Sequence, residues 1–111
     1  MDRRNLTLLT DLYELTMMQG YFERQENETV VFDMFFRANP NSSGYSIAAG
    51  LDQVIQYIKE LHFTYDDVEY LRSLSIFSEE FLQYLSGFHF SGDIYAIPEG
   101  TVVFPKEPLL K

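Results

Sequence analysis

Apolar residues dominate the stretch LLTDLYELTMMQGYF, Leu8 to Phe22, and they do not fall on one stripe. An ordinary surface helix shows one apolar face and one polar face. Here Thr16, Gln19, Gly20 and Glu23 form a narrow small or polar face, while Leu12, Tyr13, Leu15, Met17, Met18, Tyr21 and Phe22 cover the rest. With Thr10 as N-cap and Asp11 in the first turn, where the helix dipole favours a carboxylate, the pattern predicts a helix to about Arg24. Such a helix expects neighbours on several sides. Gly20 costs about 1 kcal/mol against Ala in mid-helix and usually marks a close backbone approach.

Further along, TVVFDMFFR, Thr29 to Arg37, is rich in β-branched and aromatic residues and bounded by turn formers, which predicts a strand with both faces largely buried. A polar loop follows, Ala38 to Gly44. Ser46 then caps a predicted amphipathic helix with Ile47, Ala48, Leu51, Val54, Ile55, Ile58 and Leu61 on one face. Two shorter helices are expected over Tyr65–Ser73, capped by Thr64, and Glu79–Ser86, capped by Ser78 and stopped by Gly87. Asp93–Ile97 and Thr101–Phe104 read as strands, and Pro98-Glu99-Gly100 between them predicts a hairpin. Helix, strand, three helices, then a β-hairpin is an α+β order within a single domain over residues 1–111.

Composition narrows the function. Hydrophobic content of 46% with ten Phe and eight Tyr is enough for a core. Seventeen acidic against eight basic residues leave a net charge of −9, which repels nucleic acid and anionic membrane. An anion site, if there is one, must be local. No apolar run approaches the roughly 18 residues of a membrane span, and no secretory signal pattern opens the chain. Zero cysteines exclude a disulfide scaffold and thiolate chemistry, and fit a cytoplasmic location. The chain stops at Pro108-Leu109-Leu110-Lys111 as a new apolar element begins, which suggests a fragment.

Little of the sequence points directly to chemistry. His62 and His89 lie beside Phe and outside any metal-ligand spacing, so they read as partly buried structural histidines. Asp66-Asp67 and Glu79-Glu80 fall in predicted first turns, where the dipole explains them. No glycine-rich phosphate loop is present. Tyr13 and Arg37 stand out. By pattern alone Tyr13 is more readily core than the mouth of a pocket, and Arg37 more readily a solvated strand-end cation than a phosphate ligand.

Three strings taken together change that balance. LLTDLYELTMMQGYF, FDMFFR followed by NPNSSGYSIAAGL, and GDIYAIPEGTVVFPKEPLL resemble, in order and spacing, the N-terminal part of nicotinate phosphoribosyltransferase. The resemblance covers almost the whole chain. It implies a type II phosphoribosyltransferase that joins nicotinate to phosphoribosyl pyrophosphate, giving nicotinate mononucleotide and pyrophosphate in NAD salvage. ATP and Mg²⁺ are the cofactors implied for the full enzyme, with none bound by this stretch alone. The central barrel, phosphate loops and phosphorylated histidine are expected beyond Lys111, so this chain alone is expected to be inactive. The family further implies a homodimer with shared active sites. In it Tyr13 would stack on the pyridine ring, Arg37 would meet the phosphate or pyrophosphate, and Asp11 would either polarise the ring or brace the helix. The alternatives are a stand-alone protein-binding module and a nicotinamide-specific relative.

Overall fold

Asp11, not Thr10, closes the start of the first helix. In the computed structural model, which describes residues 5–111, helix α1 spans Leu12–Glu23 with Asp11 at the N-cap in extended conformation. Thr10 is drawn elsewhere, because its hydroxyl donates to the Glu14 carboxylate. The far end closes with Arg24 as C-cap and Gln25 left-handed at φ 55°. Gln25 N–H donates to the Phe22 carbonyl (3.0 Å) and Glu26 N–H to the Tyr21 carbonyl (3.1 Å). That is the Schellman pattern, which glycine usually serves.

The described residues divide into two compact units, one of residues 5–28 and 57–90, the other of residues 29–56 and 91–111. In the first unit, α3 (Tyr65–Ser73) packs on α4 (Glu79–Ser86), and α4 packs on α1. Both helices start where the sequence placed them. The Thr64 side chain accepts from Asp67 N–H (3.1 Å), the Asp67 carboxylate accepts in return from Thr64 N–H (2.8 Å), and Ser78 accepts from Phe81 N–H (3.3 Å). Gly87 is the C-cap of α4.

Leu15 from α1, Phe63, Val68 and Leu71 from α3 and its approach, and Phe81, Leu82 and Leu85 from α4 form this unit's core. Phe22, Phe77 and Phe88 pack around it. The ring of Phe22 lies 5.7 Å from Phe81 and 4.9 Å from Tyr84, within the range where tilted aromatic pairs attract. One polar clamp reinforces the packing. The Gln19 amide donates to the Ile76 carbonyl (3.1 Å) and accepts from Ser78 N–H (2.7 Å), tying α1 to the α3–α4 turn through two backbone groups.

The second unit holds the strands, and here pairing departs from expectation. β1 (Ser46–Ile47) runs antiparallel to β2 (Val102–Val103), with Ser46 opposite Val103 and Ile47 opposite Val102. Ser46 therefore belongs to a strand and does not cap a helix. Helix α2 (Leu51–Glu60) begins five residues later, after Gly50 at φ 99°, and crosses from this unit into the first at Tyr57.

Thr29–Arg37 is extended but is not a strand with two buried faces. Its one ladder contact is at Met34, which bridges Leu110, and Val30, Val31 and Phe32 are 68–77% exposed. Side-chain type favours extended backbone, but a strand needs partners on its edges, and among the described residues only scattered backbone bonds to Lys106, Leu109 and Leu110 reach it.

The hairpin also resolves differently. Thr101 N–H does donate to the Pro98 carbonyl (3.3 Å), so the turn forms. Gly100 has φ 81° while Glu99 keeps negative φ, the signature of a type II turn. Type II turns splay the chains they join. Tyr95 and Ile97 accordingly pair with Lys111 and Leu109, whereas Val102–Val103 pairs with β1. The α+β class holds, with four helices and one two-stranded antiparallel sheet among the described residues.

Candidate functional site

Tyr13 is the second residue of α1, and its ring is 59% exposed. A spacing of four places Tyr13, Met17 and Tyr21 in one row, and all three are at least half exposed. Leu15 points the other way into the core. The reading of Tyr13 as a core residue is thus corrected within the described residues: α1 buries one side and leaves an apolar, tyrosine-bearing row outside. Gly20 borders this row, and a Cβ built there would meet nothing within 4 Å. The close approach that mid-helix glycine suggested does not come from the described residues.

Asp11 and Glu14 hold the start of that helix in a capping-box arrangement. The Glu14 carboxylate accepts from Asp11 N–H (3.3 Å) and from the Thr10 hydroxyl. Asp11 is thus the N-cap, held through its backbone N–H by Glu14.

Arg37 lies in the second unit, exposed at a bend after the extended segment. Its neighbour Phe36 accepts from Lys106 N–H (2.8 Å), and Met34 exchanges hydrogen bonds with Leu109 and Leu110. The FDMFFR and VFPKEPLL strings, far apart in sequence, are therefore laced together by backbone bonds. IAAGL and PEGT meet in the same way: Ala48 N–H donates to the Thr101 carbonyl (2.9 Å), and Gly100 N–H donates to the Ala48 carbonyl (2.8 Å).

Sequence reasoning missed Glu99. Its carboxylate accepts from Gly50 N–H (2.5 Å) and Leu51 N–H (3.1 Å), so it caps α2 from 48 and 49 residues away. A helix N-terminus presents unpaired N–H groups and a positive dipole end, and a carboxylate answers both. The signal available was Gly50 inside the helix predicted from Ser46, a residue that more often stands at a helix end than in its interior.

The histidines are exposed rather than partly buried. The Nδ1 atoms of His62 and His89 sit against their local carbonyls, of Glu60 (2.6 Å) and Gly87 (3.4 Å). The Arg72 guanidinium donates to both oxygens of Glu79 (3.0 and 2.6 Å), which holds the Glu79 carboxyl below its ordinary range and raises Arg72 in return. This exposed fork joins α3 to α4. It lines an open depression of about 370 Å³ between α3 and α4, which includes neither Tyr13 nor Asp11. A second depression, about 380 Å³ and lined by Asp33, Tyr95–Ile97 and Pro108–Lys111, does not include Arg37. Among the described residues no group of three His, Asp or Glu side chains is placed to hold a metal ion, and no helix is long and apolar enough to cross a membrane.

Comparison with known proteins places these features. Residues 8–111 match the family model described as the nicotinate phosphoribosyltransferase (NAPRTase) N-terminal domain. Over 104 residues the chain is 47% identical to nicotinate phosphoribosyltransferase pncB2 of Mycobacterium tuberculosis, covering 94% of this chain and 22% of that protein. Nicotinate phosphoribosyltransferase 2 of Arabidopsis thaliana is 40% identical over 107 residues, covering 94% of this chain and 19% of the plant protein. The crystal structure of human nicotinic acid phosphoribosyltransferase superposes with a TM-score of 0.77 at 31% identity, covering 91% of this chain and 21% of the human chain. The chain spans about a fifth of the length of the curated relatives it matches. A match across nearly all of the sequence, joined to a shared fold at 31% identity, means that the chain belongs to the nicotinate phosphoribosyltransferase family, as its N-terminal domain.

Proposed function

We propose that this chain is the N-terminal part of a cytoplasmic enzyme that joins nicotinate to phosphoribosyl pyrophosphate, driven by ATP hydrolysis, and that it contributes binding residues to a site completed by the rest of the polypeptide. The bond formed is between the pyridine nitrogen and the ribose C1′; the bond broken is C1′ to pyrophosphate oxygen, and pyrophosphate leaves with the electron pair. The observation that carries the reading is the family match over residues 8–111, with Tyr13 standing outward from α1 where a ligand can reach it.

Each residue then has a physical part. Tyr13 offers a flat, exposed ring on which a pyridine can stack, a contact worth about 0.5–1.5 kcal/mol beyond area burial. Arg37 is an exposed guanidinium whose fork fits phosphate oxygens and offsets charge as pyrophosphate departs. Asp11 secures the start of the helix that carries Tyr13. ATP and Mg²⁺ are the cofactors proposed for the full enzyme; among the described residues no group of three His, Asp or Glu side chains is placed to hold the ion. In a head-to-tail homodimer, the apolar row of Tyr13, Met17 and Tyr21 would be covered by the partner subunit.

The same exposed row supports the second reading, a stand-alone module that binds another protein through α1. One assay separates the two. The full-length polypeptide is incubated with labelled nicotinate, phosphoribosyl pyrophosphate and ATP, with nicotinamide in a parallel reaction. Formation of nicotinate mononucleotide, lost on omitting phosphoribosyl pyrophosphate and absent from the isolated 111-residue chain, is the expected result. Turnover of nicotinamide instead would assign the relative with the other specificity. A native polypeptide of 13.0 kDa with no turnover would favour the binding module.

A further inference from the structure

Tyr13 has an orientation to maintain and little of its own packing to maintain it. Its side chain is 59% exposed, so the direction of its ring depends on the backbone of the first helical turn. First turns fray unless their free N–H groups find acceptors. In α1 the acceptor that bridges this turn is Glu14: one carboxylate oxygen receives both the Asp11 N–H (3.3 Å) and the Thr10 hydroxyl. Glu14 thereby joins the residues on the outer side of the cap to the third residue of the helix, and Tyr13 lies between. On the helical side, the Thr16 hydroxyl donates to the Tyr13 carbonyl (2.9 Å).

We infer that Glu14 is a positioning residue, which fixes the Thr10–Tyr13 turn so that the Tyr13 ring is presented in one direction. The inference rests on the reading of Tyr13 as the pyridine contact. Glu14 touches no substrate in this account. It limits the conformations of a turn whose single exposed ring would otherwise sample several, and a displacement of about 1 Å at a binding ring is costly in orientation.

The test is a kinetic coupling in the full-length enzyme. Glu14→Ala, Glu14→Gln, Thr10→Val, Tyr13→Ala and the Glu14→Ala/Tyr13→Ala pair are compared for nicotinate KM, phosphoribosyl pyrophosphate KM, kcat and Tm. Glu14→Ala should raise the nicotinate KM about two- to fivefold with the other KM unchanged, since the lost constraint acts on one ring. Glu14→Gln keeps an acceptor oxygen and should restore most of the effect, and Thr10→Val should reproduce part of it. In the Tyr13→Ala background, Glu14→Ala should add nothing to the nicotinate KM. A lowered Tm with no change in nicotinate KM would overturn the inference, as would effects that multiply in the double variant. If Tyr13→Ala raises the nicotinate KM and Glu14→Ala does not, the positioning role fails alone. If neither variant moves it, the Tyr13 reading fails and the positioning role falls with it.

Discussion

Replacing Glu99 by Ala removes the cap of α2 without touching any residue of the helix. Two acceptor contacts are lost, at Gly50 N–H (2.5 Å) and Leu51 N–H (3.1 Å). Both donors are near the surface, so water can take the place of the carboxylate, and the cost belongs on the scale of an N-cap, about 1 kcal/mol. Loss of a charge at the positive end of the helix adds about 0.3–1 kcal/mol. The total, about 1–2 kcal/mol, corresponds to a five- to thirtyfold rise in local opening. Amide hydrogen exchange read by NMR reports it directly: Gly50 and Leu51 should exchange faster by about that factor. Glu99→Gln, which keeps one acceptor and loses the charge, should fall between the variant and the parent. Unchanged protection of the α2 amides in Glu99→Ala would refute the argument that this distant carboxylate holds the helix start.

Other expectations follow from the same structure. Leu82 is fully buried in the first unit's core, so Leu82→Ala should cost about 2–5 kcal/mol in urea unfolding, and a loss below 1 kcal/mol would mean the site collapses freely. Gly20→Ala should stabilise the 111-residue chain by about 0.5–1 kcal/mol, since helix propensity improves and the new methyl meets nothing within 4 Å. In the full-length enzyme the same change should lower assembly or activity if, as proposed, this face of α1 is covered by the partner subunit. The Glu79 carboxyl, held low by its hydrogen bonds from Arg72, contributes stability that is present above the ordinary carboxylate range and lost as pH falls through its lowered value. The stability difference between the parent and Glu79→Gln should therefore be seen at neutral pH and vanish on acidification. The matching contribution of Arg72, whose value is raised by the same hydrogen bonds, is present below arginine's ordinary range and lost only as pH rises through the raised value. A difference independent of pH would assign the effect to packing.

Helices α1, α3 and α4 were legible in the sequence because their signals are local, whereas α2 starts five residues past the expected Ser46 cap, where a distant carboxylate closes it. Thr64 and Ser78 cap where they should, and the apolar spacing of Val68, Leu71, Phe81, Leu82 and Leu85 marks the residues that become core. Even the displaced N-cap of α1, Asp11 for Thr10, is a shift of one residue between two good caps. Strand pairing was less legible because it is set by partners far along the chain. Nothing within Asp93–Phe104 announces that one arm of its turn will pair with Lys111 and the other with Ser46. The type II geometry at Gly100 decides it, and Pro98-Glu99-Gly100 is compatible with several turns.

The candidate site divides along the same line. Tyr13 and Arg37 stand out in the sequence, but no local pattern separates ligand contact from ordinary core or surface; the family resemblance shifted that balance. The structure adds that both are exposed. Glu99 was invisible from its own neighbourhood, since its partners are 48 and 49 residues away.

The central claim is that the outward ring of Tyr13 binds the pyridine, and the most direct measurement is the nicotinate KM of full-length enzyme carrying Tyr13→Ala or Tyr13→Phe. Stacking worth about 0.5–1.5 kcal/mol translates into a KM raised about 2- to 13-fold in Tyr13→Ala. The phosphoribosyl pyrophosphate KM should stay the same, and Tyr13→Phe, which keeps the ring, should restore nicotinate binding. A nicotinate KM unchanged in Tyr13→Ala would remove the residue from the site and contradict the account.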